Sequence, residues 1–128
     1  MTYSASEIYE KIIDLRSSDE NKRNESIKLI PMMANALGTA RTSSELIPYV
    51  VESAVFTEEQ WIQVLNMLGK IDYSKNTKNQ MHNIFCTICT ICEMESRIIR
   101  ETFVNCFFSI IDQLKDELIN GLLKDFIL

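Results

Sequence analysis

The feature that most constrains this chain is a recurrence. Short acidic turns begin near Ser18, Phe56 and Glu93, 38 (56 − 18) and then 37 (93 − 56) residues apart, each set between two apolar helical runs. A period near 40 with two helices per unit marks an α-solenoid of the HEAT or armadillo kind, in which each pair buries its apolar face against its neighbours. The expected fold is therefore all-α: an α-α superhelix of three helix pairs plus one terminal helix. It forms a single domain with repeats over about 6–42, 43–79 and 80–115 and a partial unit over 116–128. A four-helix bundle is the alternative, but it explains neither the fixed period nor a seventh helix without its pair.

Composition agrees with helices. Three glycines and two prolines in 128 residues are too few for the turns of a β-sandwich, and 46% hydrophobic residues can fill a sizeable core. The net charge of −5 and the scattered basic residues mark no phosphate-binding face, so nucleic acid is not an expected partner. The sequence opens on no basic-plus-apolar leader, and no apolar run reaches the ~20 residues that cross a bilayer. An intracellular location, cytoplasmic or nuclear, is the expectation, with no membrane partner.

Ala36 to Val50 holds an end, a turn and a beginning. Gly38 closes an apolar helix, Thr39 to Thr42 reads as a polar turn, and Ser43 or Ser44 can cap the next helix ahead of Glu45. Ser4 or Ser6 caps a first helix with Ile8, Ile12, Ile13 and Leu15 on one side. Pro31 predicts a kink near Ile27 to Ile30, and Pro48 a bend or tightened first turn. Thr57-Glu58-Glu59-Gln60 reads as a capping box. Asp72 to Asn79 is the most polar linker, Gln80 to Ile91 a very apolar helix, and two more helices follow, ending near Gln113 and at Leu128.

Residues 12 to 50 carry a resemblance. Leu15-Arg16, Arg23, Ser26-Ile27-Lys28, Ala36-Leu37-Gly38, Arg41-Thr42 and Ser44-Glu45-Leu46-Ile47-Pro48-Tyr49 fall without a gap where the scaffold (A) subunit of protein phosphatase 2A has leucine-arginine, arginine, SIKKL, ALG, RT and SELLPF. Phe56 to Glu59 and Leu68-Gly69 resemble the next unit of that family, and Glu95, Ile98 to Arg100 and Val104 match a third more weakly. Pro31, the linker and the cysteine-rich helix depart from it. The resemblance implies a non-catalytic scaffold, corresponding to the N-terminal repeats on whose turns a regulatory (B-type) subunit docks. The catalytic subunit docks on C-terminal repeats, which a longer chain would supply. In such arrays Arg23 and Arg100 would each bridge to an acidic residue of the neighbouring repeat, with Asp19 or Glu95 as candidates.

If the pairs stack in parallel, the turns line up about 10 Å apart along one edge. The candidate partner-binding residues on that ridge are Ser18, Asp19, Glu20, Phe56, Thr57, Glu58, Glu59, Trp61, Glu93, Met94 and Glu95. They make an acidic-aromatic surface for a basic partner, although the same acids also suit helix N-termini and Trp61 also suits the core. Three other features are weighed against this. Cys86, Cys89 and Cys92, with His82 a turn earlier and Cys106 later, overlap the spacing of an iron-sulfur run, but the text between them is continuous and apolar, so buried thiols and no cofactor or metal are expected. A single histidine and no glycine-rich phosphate loop leave no catalytic constellation. A generic HEAT-type adaptor unrelated to phosphatase and, behind it, a cysteine-bound metal or redox protein stay open beside the phosphatase scaffold. Phe126, Ile127 and Leu128 would leave an apolar end open to self-association.

Overall fold

The computed structural model describes residues 3–127, apart from the side chains of Leu123, Asp125, Phe126 and Ile127, and every regular element among them is helical. In order these are α1 (Ala5–Asp14), α2 (Glu20–Ile27), α3 (Ile30–Leu37) and α4 (Thr39–Arg41), which runs through a π segment (Thr42–Leu46) into α5 (Ile47–Val51). Then come α6 (Glu58–Leu68), α7 (Lys78–Ile88), a 3-10 turn (Cys89–Glu93), α8 (Arg97–Ile111) and α9 (Asp116–Ile127). The expectation of an apolar end at Phe126, Ile127 and Leu128 rests on side chains outside the described residues.

Packing sorts the elements into two rows. In one, α2 and α3 lie against α6, and α6 against α8; in the other, the π segment and α5 lie against α7, and α7 against α9. Helix α1 packs on α2 and α3, and the residue pair Arg16–Tyr49 ties its end to α5. Between the rows runs one continuous core that includes Ile27, Ile30, Met33, Ile47, Leu65, Leu68, Met81 and Ile84, each without exposed surface. Burial of such side chains, roughly 2 kcal/mol each, is what holds short helices that would not persist alone. The side-chain hydrogen bonds that span elements distant in sequence join partners 33 to 42 positions apart.

The proline expectations take concrete form. The helix breaks between Ile27 and Ile30, with Leu29 N donating to Ser26 O at 3.0 Å, and Pro31 sits in the first turn of α3, where no helical donor is needed. Ahead of Pro48 the backbone widens into the π segment, and Ile47 N donates to Thr42 O, five residues back. That wider turn relieves the ring's clash with the preceding carbonyls.

The corner at Gly38 is tighter than the sequence suggests. Thr39 to Thr42 is already helical, so neither Ser43 nor Ser44 caps a helix. Thr42 Oγ1 donates to Ala34 O, Ser44 Oγ donates to Ala40 O, and Ser43 is buried against α7. Gly38 alone makes the turn, at φ 86° and ψ 171°, a region closed to side chains. An added Cβ would meet nothing within 4 Å, so Gly38→Ala is expected to lose about 2 kcal/mol through backbone strain alone, read as a lower urea midpoint with an unchanged slope.

Two further expectations change. Ser4, not Ser6, is the cap of α1, in a reciprocal pair with Glu7, and Ile13 is 65% exposed, so the apolar side of α1 is narrower than the sequence suggests. The polar linker hides a core residue. Tyr73 is fully buried, its hydroxyl donating to Leu68 O at 2.6 Å and its N–H donating to Gln113 Oε1 at 2.8 Å. The linker also ends in a capping box, Thr77 with Gln80, which starts α7 at Lys78.

Candidate protein-interaction surface

Three helix starts build one edge of the molecule. Asp19 caps α2 by accepting from Asn21 N at 2.9 Å, Thr57 caps α6 in a reciprocal pair with Gln60, and Ser96 caps α8 by accepting from Ile99 N at 3.3 Å. Each cap satisfies a backbone donor that the first helical turn leaves open.

The starts are cross-linked by side chains. Arg23, only 8% exposed, donates through Nε to Gln60 Oε1 at 3.1 Å and through Nη1 to Ser17 O at 2.9 Å. Gln60 in turn donates from Nε2 to Asn24 Oδ1 at 2.9 Å and to Glu20 O at 3.5 Å. Between the second and third starts, Ser96 Oγ donates to Glu58 Oε2 at 2.8 Å. The acidic bridge expected of Arg23 is therefore replaced by a neutral amide. A buried guanidinium there meets a fork of oxygens without a second buried charge.

The predicted surface residues divide. Ser18, Asp19, Glu20, Thr57, Glu58, Glu59, Glu93 and Glu95 are exposed and Met94 is half-buried. Phe56 and Trp61 are not on the surface: they are 8% and 6% exposed and pack edge to face with ring centroids 5.1 Å apart. The α6 start turns both rings inward against the core, so the outer face is acidic without its aromatic half. Lys22, Arg97 and Arg100 also stand exposed near it, with Arg97 paired to Glu101 at 3.0 Å.

The thiols depart from the sequence expectation. Helix α7 presents Met81, Ile84, Phe85 and Ile88 to the core, which puts Cys86 and Cys89 on its exposed side, while Cys92 is half-buried and Cys106 alone is core. Cys86 Sγ lies 3.7 Å from His82 Nε2, and among the described residues no three His, Cys, Asp or Glu side chains converge as metal ligands would. Burial pushes the Cys106 thiol up to about 12. Partial burial, then the neighbouring thiols Cys92 and Cys86, also raises Cys89. Among the described residues no helix is long and apolar enough to cross a membrane.

No family model matches the chain, and no solved structure matches it.

Proposed function

We propose that the chain is a non-catalytic scaffold of stacked HEAT-type helix pairs that binds a partner protein along the ridge of helix starts at Asp19, Thr57 and Ser96. The observation that carries this is the cross-linking of the ridge. Three acidic turns far apart in sequence are joined side chain to side chain by Arg23–Gln60, Gln60–Asn24 and Ser96–Glu58, at separations of 37, 36 and 38 residues. Contacts made one repeat length away are what nearest-neighbour stacking produces, and a bundle of unrelated helices has no reason to keep one separation. A surface fixed in this way offers several carboxylates in set register, which favours fast and oriented encounter with a basic partner face.

The resemblance to the scaffold subunit of protein phosphatase 2A names the partner class: a regulatory subunit, with the catalytic subunit engaged only through further repeats. Glu20 and Glu59 test this best, because both side chains are exposed and neither serves as a cap. The double variant Glu20→Lys, Glu59→Lys is expected to weaken binding of a purified regulatory subunit about tenfold, from two rim charges of roughly 0.7 kcal/mol each, while the loss of two first-turn carboxylates lowers the thermal midpoint by only a few degrees and leaves the chain folded. Binding equal to wild type, or no binding by wild type, measured by calorimetry, removes this ridge as the site.

A further inference from the structure

The thiols near the end of α7 take no part in the ridge, and the one histidine of the chain stands among them. His82 and Cys86 are four residues apart on α7, so they share a face of the helix, the imidazole half-buried and the thiol exposed. Their side chains meet. Cys86 Sγ lies 3.7 Å from His82 Nε2, within hydrogen-bonding reach for sulfur. With a single imidazole in the chain, this contact singles out Cys86.

The other three thiols are held in the protonated form. Burial, then the neighbouring Cys92 and Cys86, raises Cys89; burial raises Cys92 against the opposing pull of Arg100; and burial holds Cys106 at about 12. Cys89 is the useful comparison. It is exposed like Cys86 and follows it by three residues, at the start of the 3-10 turn.

We propose that Cys86 is the reactive thiol of this chain, with His82 as its general base, and that it forms a mixed disulfide with a small disulfide of the glutathione kind. The thiolate, not the thiol, attacks sulfur, so a base within reach of the proton separates a reactive cysteine from an inert one. With its own proton on Nδ1, the neutral imidazole offers Nε2 as acceptor. Nε2 takes the Cys86 proton, the Cys86 sulfur bonds to one sulfur of the small disulfide, and the S–S bond between its two halves breaks. The departing thiolate recovers the proton from the imidazolium, so a protein thiol and a small disulfide become a mixed disulfide and a small thiol. A metal ion would ask for more ligands than this pair, and among the described residues no third His, Cys, Asp or Glu converges on it, whereas exchange needs one exposed sulfur and one base.

Two variants of the full chain separate the sites. Cys89→Ser with Cys92→Ser leaves Cys86 as the exposed thiol, and Cys86→Ser with Cys92→Ser leaves Cys89, with Cys106 in the core of both. Each is mixed with excess glutathione disulfide at neutral pH, and the mixed disulfide is followed by intact-mass spectrometry. The chain that keeps Cys86 is expected to react at least about tenfold faster. His82→Ala should remove that lead, and so should His82→Gln, which keeps a polar side chain that accepts no proton; neither should slow the chain that keeps Cys89. Circular dichroism checks each fold, and should His82→Ala unfold, His82→Gln decides. Equal rates at the two thiols, a lead that survives His82→Gln, or equal slowing of both chains by the His82 variants overturns the proposal. These readouts do not depend on the ridge or its partner.

Discussion

Gln60→Ala is expected to lower stability by about 3 kcal/mol, seen as a fall of roughly 10 °C in thermal midpoint, far more than a glutamine ordinarily costs. The reason is the number of groups it leaves stranded. Its Oε1 accepts from both Arg23 Nε and Thr57 N, each at 3.1 Å, and its Nε2 serves Asn24 and the Glu20 carbonyl. Truncation leaves the buried Arg23 guanidinium with Ser17 O as its remaining side-chain hydrogen-bond acceptor among the described residues and opens the α6 cap. Uncompensated burial of charge is the expensive part. Thr57→Ala separates the contributions: it removes the cap and keeps the Arg23 contact, so it should cost about 1 kcal/mol. If the two variants melt alike, the arginine gains nothing from Gln60, and the ridge is joined more weakly than its geometry implies.

That expectation rests on features unevenly legible in the sequence. The Thr57 capping box, the end at Gly38 and the break before Pro31 could be read directly because each is decided within about one helical turn. The Thr77–Gln80 box has the same local chemistry and was obscured only because it closes a linker that is polar throughout. The π segment was not legible, since a proline predicts that the helix must adjust but not how. Arg23 shows the limit on the ridge. Its spacing from Arg100 suggested an acidic partner one period away, and the fold supplies a partner 37 residues away that is an amide instead of an acid. Phe56 read as surface for the same reason, while Trp61 stayed open between core and contact: at a helix start, which way a ring faces is set by the neighbouring helices.

Tyr73 is the clearest residue decided by distant partners, and Tyr73→Ala is expected to cost about 4 kcal/mol, among the largest single losses in the chain. Its ring is fully buried, its hydroxyl holds the Leu68 carbonyl, and Gln113 closes the linker by accepting from Tyr73 N and donating to Ile71 O at 2.8 Å. Tyr73→Phe keeps the ring and leaves the Leu68 carbonyl with its longer bond from Ile71 N at 3.4 Å, so a loss of about 1 kcal/mol at neutral pH is expected. Alkaline pH gives an independent reading. Burial, with Cys106 nearby, raises the Tyr73 phenol above its ordinary value, and burial raises Cys106 from 9.0 to about 12. A group whose folded pKa is raised binds its proton more tightly when folded. The stability it lends is complete below its unfolded pKa and is lost as pH climbs through the folded value. Stability should therefore begin to fall above about pH 9 and fall faster above about pH 10, at up to about 1.4 kcal/mol per pH unit for each group. Cys106→Ala should flatten the first part of the decline and Tyr73→Phe the second, measured as urea midpoints across that range. A decline unchanged in both variants would mean that neither group stays neutral in the core, and that the contact between the linker and α8 opens before the rest of the fold.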